Sequence, residues 1–138
     1  MNISESYNPE LFEQFKAKVW PVADAEHYGY QQPDFQKKEF TLVAKENDEI
    51  LGYVTVLIDS GVAQIEPLMV YPRGMGIGSA LIVSAEAKAK EMGVHKVWLE
   101  TGSNWEAKKF YEKHGYITRT ILPNHIGGHE FVLMDKTL

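Results

Sequence analysis

An α/β fold (α+β by some schemes) is what the sequence predicts: a central mixed, mostly antiparallel, twisted sheet flanked by helices. Three observations carry this expectation. Three strand-like runs follow one another across tight turns between residues 40 and 71. A strand, a glycine-rich loop, a helix and a further strand then succeed one another between residues 62 and 100. Last, 116–121 and 130–134 read as a closing hairpin. Strands joined by short turns pair antiparallel, whereas a strand–helix–strand crossover makes a parallel pair with a right-handed connection.

The elements follow in order. Asn8, Pro9 and Glu10 mark a helix start: a side-chain cap, a proline in the first turn and an acid beside it. Leu11, Phe12, Phe15 and Val19 give that helix an apolar stripe, and Pro21 is expected to end it. Residues 22–38 have weak periodicity and several aromatics, which reads as a short helix and loop. Strand 40–45 comes next, and 47–49 turn the chain. Strand 50–59 returns, Ser60 and Gly61 turn it again, and strand 62–71 completes a meander. Pro67 falls inside this third strand, where it cannot donate to a ladder. Helix 79–92 carries Ile82, Ala85, Ala89 and Met92 at spacings of three and four, and Gly93 stops it. Strand 94–100 follows, then a helix capped by Asn104 and stopped by Gly115, then the hairpin. The expectation is a sheet of six to seven strands with about four helices.

Composition bounds the function. A chain of 138 residues supports one domain, 1–138, with a proper core. With 44% hydrophobic and 24% charged residues it reads as globular rather than disordered. No apolar run approaches a membrane span and no signal peptide is evident, so a cytoplasmic protein without membrane contact is expected. The absence of cysteine removes disulfides, Cys-ligated zinc and any thiol nucleophile. A net charge of −5 without a dense Lys/Arg block argues against nucleic acid.

The chemistry concentrates in Arg73-Gly74-Met75-Gly76-Ile77-Gly78-Ser79, between a strand and a helix. Alternate glycines leave backbone N–H groups free to face an anion over the helix start, where unpaired donors and a partial positive charge meet. Arg73 adds a cation suited to phosphate. A P-loop would need Gly-Lys-Ser/Thr, and no Lys precedes Ser79. A dinucleotide fingerprint would need a third glycine at Ser79 or Leu81. Arg-x-x-Gly-x-Gly, read as Arg73, Gly76 and Gly78, is the spacing that fits.

That spacing resembles the pyrophosphate loop of the GNAT superfamily, the acyl-CoA-dependent N-acyltransferases. The run Asn104 to Tyr116 resembles the family's second signature, Asn-x-x-Ala-x-x-Phe-Tyr-x-x-x-Gly-Phe/Tyr. Asn104, Ala107 and Tyr111 share one helix face, with an amide, then a small gap, then a phenol. The order of elements over 40–136 is also similar to the GNAT fold. The resemblance implies a sheet splayed between strands 62–71 and 94–100, with the pantetheine arm of acetyl-CoA in the gap and no metal.

The function it implies is direct transfer of an acetyl group from acetyl-CoA to a primary amine. The alternative is a catalytically silent acyl-CoA sensor on the same fold; a third reading, an ATP- or NAD-binding regulatory module, fits the glycine spacing poorly. Tyr111 is the expected general acid and Glu66 the expected base, although Glu66 also reads as an ordinary solvated strand residue. Backbone N–H of Leu68 or Val70 is expected to polarise the thioester carbonyl. The expected cofactor-binding residues are Leu68, Met69, Val70, Arg73, Gly74, Met75, Gly76, Ile77, Gly78, Ser79, Asn104, Ala107, Lys109 and Tyr111. The acceptor is a small-molecule or peptide amine, with 22–38 and 122–129 expected to shape its pocket and His125 expected to contact it. The resemblance also suggests a homodimer. The glycines of His125-Ile126-Gly127-Gly128-His129 argue against a helical metal motif.

Overall fold

The structure, a computed structural model, describes residues 1–33 and 35–138. The chain divides into two units, Met1–Asp34 and Phe35–Leu138. Asp34, which falls within the expected acceptor segment 22–38, lies outside the described residues.

The first unit is built on helix α1, Pro9–Tyr28. Asn8 caps it, its side chain accepting from Leu11 N–H at 3.0 Å. Tyr7 packs on Phe12 with ring centroids 4.9 Å apart. The helix does not end at Pro21 as expected but runs through it to Gly29. A proline removes one N–H, and the residues around it are helix-compatible. The effective stop is instead a left-handed glycine, φ 79°, whose N–H returns to the Ala25 carbonyl at 3.0 Å.

The second unit holds, among the described residues, six strands in one sheet, two α-helices and a 3-10 turn. Strands β1 (Lys38–Glu46), β2 (Glu49–Asp59) and β3 (Val62–Val70) form the expected meander. Both turns are two-residue turns with left-handed backbone: Asn47 and Asp48 at φ 47° and 67°, Ser60 and Gly61 at 53° and 77°. Helix α2 (Ile77–Glu91) leads to β4 (Lys96–Gly102), and α3 (Glu106–Lys113) to β5 (Ile117–Leu122). A 3-10 turn, Ile126–Gly128, precedes β6 (Phe131–Thr137). The spatial order is β1-β2-β3-β4-β6-β5, antiparallel except for the β3–β4 pair. With α1, there are three α-helices among the described residues where about four were expected; residues 22–28 belong to α1 rather than to a helix of their own.

Alternation along the strands gives the sheet two unlike faces. Val54, Val56, Ile58, Ala63, Ile65, Val97 and Leu99 turn one way and form a buried cluster with Leu81, Ile82, Ala85 and Ala89 of α2. Gln64, Trp98 and Glu100 lie at the alternate positions, on the opposite face. Both helices of this unit end in the same device. Gly93 and Gly115, at φ 86° and 89°, let the next amide reach back: Val94 N–H to Ala89 O and Tyr116 N–H to Tyr111 O, each at 3.0 Å.

One departure from regularity sets up the site. The β3–β4 ladder spans only Val62–Gln64 against Lys96–Trp98. Beyond it Ile65 opposes Val56 and Leu68 opposes Val54 on β2, so Glu66 and Pro67 together face Thr55 in a bulge. Pro67, lacking an N–H, sits where the ladder has ended. The strands part from there toward Val70 and Gly102.

Candidate active site

The parted strands open into a cleft of about 640 Å³. Its walls are Leu68, Met69 and Val70 of β3, the loop and first turn of α2, and the start of α3 through Trp105, Ala107, Phe110 and Tyr111.

The glycine loop forms one wall. Gly74 and Gly76 have φ of 83° and 74°, conformations that favour glycine. Gly76 occupies the N-cap of α2 and gives it no side-chain cap, and the first turn holds no acid. The leading amides of α2 therefore face the cleft beside Arg73, an arrangement that attracts an anion. Gly78 differs from Gly74 and Gly76, with no left-handed φ. A Cβ there would lie 3.5 Å from the Phe110 ring, an ordinary van der Waals contact, so α3 packs against the loop here without requiring a glycine. Ser79 Oγ and His114 Nε2, 3.0 Å apart, tie α2 to the end of α3. His114 also packs on Phe110 with ring centroids 4.7 Å apart.

Tyr111, only 7% exposed, lines the same cleft. Burial pushes its phenol up to about 12, so it is fully protonated at neutral pH. Backbone donors of β3 line the cleft as well. Tyr71 N–H donates to Leu51 O of β2 at 2.9 Å. Strand alternation then turns the N–H groups of Val70 and Leu68 the other way, into the gap.

The two faces of the sheet meet where the strands have parted. Gly102, on the same face as Glu100, carries the Trp105 ring directly on its backbone: an added Cβ would lie 2.4 Å from that ring. Trp105 meets Phe131 edge-on with centroids 5.2 Å apart. His125 lies 5.8 Å from Phe131 and its Nε2 is 2.9 Å from Glu100 Oε2.

Of the residues expected to bind the cofactor, Leu68, Met69, Val70, Arg73, Gly74, Gly76, Ile77, Gly78, Ser79, Ala107 and Tyr111 line the cleft. Met75, Asn104 and Lys109 are not among its walls. Met75 is exposed, and Lys109 Nζ lies 3.4 Å from Glu106 on its own helix. Asn104 does not cap α3. Trp105 N–H closes a turn onto Gly102 O at 3.1 Å, which moves the helix start one residue on and puts Trp105 at the N-cap. Glu66 is exposed on the β3 edge of the gap. Trp105, Glu106 and Phe110, the last a position of the second signature, line the cleft without having been expected to bind the cofactor. The adjacency of Trp105 and Phe110 to Ala107 and Tyr111 was the available signal. His114 pairs with Ser79, a contact between residues 35 apart that no local pattern encodes.

Residues 2–116 match the model of the acetyltransferase (GNAT) family. A relative from Bacillus subtilis (strain 168), the uncharacterized protein YdhI, is 35% identical over 82 residues, covering 59% of this chain and 51% of that protein. The chain spans about half the length of the curated relatives it matches. An acetyltransferase from Bacillus cereus ATCC 14579 superposes with a TM-score of 0.72 at 30% identity, over 100% of this chain and 99% of that one. A Bacillus anthracis (strain Ames) protein described as a candidate streptothricin acetyltransferase was solved in complex with acetyl coenzyme A. It superposes with a TM-score of 0.66 at 25% identity, over 78% of this chain and 64% of that one.

Proposed function

The chain belongs to the acetyltransferase (GNAT) family, and on that premise we propose that it acts, as a single domain over 1–138, to transfer an acetyl group from acetyl-CoA to a primary amine. The carrying observation is the set of groups that line one cleft. Anion-binding backbone, Arg73, a protonated phenol and the β3 strand share its walls. A long cofactor with a diphosphate near one end and a thioester at the other can use all of them.

The chemistry then divides among the chain's own groups. Gly76, Gly78 and Ser79 hold the diphosphate through backbone N–H, and Arg73 adds charge. The pantetheine amides pair with the open edge of β3, a form of strand addition. Leu68 or Val70 N–H donates to the thioester oxygen as it becomes an oxyanion, a contribution of about 3 kcal/mol in comparable sites. A free thiol has a pKa near 8.5, so a phenol at about 12 cannot hand over its proton early. Tyr111 acts first as hydrogen-bond donor to the sulfur and completes the transfer as the C–S bond breaks. Glu66, exposed on the β3 lip, attracts the ammonium form of the acceptor toward the gap.

Titration calorimetry with acetyl-CoA, paired with a thiol-release assay over a series of amines, tests this. Binding in the micromolar range together with amine-dependent thiol release is the expected result. No heat at high micromolar acetyl-CoA overturns the proposal. Binding without release for any amine favours an acyl-CoA sensor instead.

A further inference from the structure

We propose that His125, held by Glu100, is a second acid–base group of the transfer site and takes the proton from a cationic alkylamine acceptor. The inference rests on the acetyl-transfer reading above and assigns a residue within it.

The placement comes from the split in the sheet. Glu66 and Glu100 lie on β3 and β4 beyond the last paired residues, Gln64 and Trp98. Both follow the alternation of Gln64 and Trp98, so both belong to the face away from α2. The gap thus has a carboxylate on each lip, and an amine crossing toward Tyr111 from that face passes between them. Glu66 is exposed on its lip and has no ion-pair partner among the described residues. Glu100 is different: its side chain is 23% exposed and engaged with His125 Nε2 at 2.9 Å.

That bond defines the histidine. A carboxylate on Nε2 favours the tautomer with its proton there, leaving the Nδ1 lone pair as the basic position. His125 is also fixed in place. Its ring meets Phe131 of β6 edge-on, and its N–H donates to His129 O at 2.8 Å while Gly128 N–H donates to its carbonyl at 3.0 Å. Glu100 from β4 is the charged group facing it; Phe131 from β6 is the apolar one. Phe131 in turn touches Trp105, which lines the acetyl-CoA cleft, so the pair is continuous with the site through one aromatic contact. The side chain of His125 remains 36% exposed and accessible to a substrate. A base oriented by a half-buried carboxylate is an arrangement suited to general-base catalysis.

The step balances as follows. The alkylammonium gives one proton to His125 Nδ1, forming an imidazolium paired with Glu100; this proton later leaves to solvent. The freed lone pair forms the C–N bond to the thioester carbon. The C–S bond breaks as the tetrahedral adduct collapses, and the sulfur departs as a thiol with the proton supplied by Tyr111. The adduct nitrogen loses its second proton, which restores the phenol.

An arylamine is already neutral at pH 7 and needs no such base, which gives a discriminating test. Thiol release is measured for aliphatic and aromatic primary amines, 1,4-diaminobutane and aniline among them, with wild type, His125→Gln, Glu100→Gln and Glu66→Gln. His125→Gln is expected to lower kcat/KM for alkylamines by about 100-fold, the lower range of general-base effects. It should change arylamine kcat/KM less than about threefold and leave the acetyl-CoA affinity unaltered, since the removed group is that base alone. Glu100→Gln should reproduce the pattern more weakly. Equal losses on both amine series, or alkylamine rates retained in His125→Gln and lost in Glu66→Gln, overturn the assignment while leaving acetyl transfer intact. Wild-type protein that binds acetyl-CoA but releases thiol with no amine overturns the transfer reading itself.

Discussion

On the proposed reading, Tyr111 serves packing and reaction together. Its ring meets Phe110 and Tyr116 edge-on, at 5.2 and 5.6 Å between centroids, so its position is set by aromatic neighbours on both sides. The same burial lifts its phenol to about 12. Folding therefore favours the neutral form: that contribution to stability is complete below pH 10 and is lost as pH climbs through about 12. Tyr111→Phe keeps the ring and removes only the donor. We expect kcat to fall roughly 100-fold, at the low end for a positioned acid, with acetyl-CoA affinity and melting temperature little changed. Steady-state kinetics with calorimetry checks both halves. A large loss of affinity would mean that the hydroxyl holds cofactor rather than serving the leaving group.

At the scale of elements, the start of α2 separates glycines that look alike in sequence. Gly76 has a left-handed backbone with open space around it, whereas Gly78 has ordinary dihedrals and a ring 3.5 Å from its would-be Cβ. Gly76→Ala should cost about 1–2 kcal/mol through backbone strain, while Gly78→Ala, meeting only van der Waals contact, should stay within about 0.5 kcal/mol of wild type. Denaturant melts of the two variants decide this. The contrast also marks what the chain reveals before it folds. Turn pairs, glycine stops and the loop-to-helix motif were legible because their causes are local: positive φ, missing side chains, spacings of three and four. Most of the cleft wall followed from them. What escaped depends on partners far along the chain or on competition between neighbours. Trp105 displaces Asn104 as cap by closing a turn onto Gly102, Ser79 finds His114 across 35 residues, and α1 runs past Pro21 because its stop signal is Gly29.

Over the larger unit, the C-terminal strands are stitched by charge as well as by backbone. Asp135 of β6, 6% exposed, takes Arg119 Nε of β5 at 2.7 Å and Lys96 Nζ of β4 at 3.1 Å. Burial alone would raise its carboxyl, but the hydrogen bonds and charges of those two partners outweigh it and hold the group below the ordinary carboxylate value. The sign follows: this stability is present above pH 3.8 and is lost as pH falls through the lowered value. Asp135→Asn should cost about 1–3 kcal/mol at neutral pH, the range for hydrogen bonds to charged groups. It should also flatten the acid limb of a melting-temperature profile. An unchanged acid limb would mean that another carboxylate governs it.

The short parallel ladder between β3 and β4 has one more consequence. Any sheet ends in two strand margins, and unguarded margins invite other chains to stack on them. This one carries two further margins inside itself, facing each other past Gln64 and Trp98. They are guarded by confinement: a visitor must be slender, must come endwise, and meets a proline on one bank. On the proposed reading, the adhesive capacity of raw backbone is thereby kept for a narrow guest and withheld from the surfaces where a second polypeptide would find it.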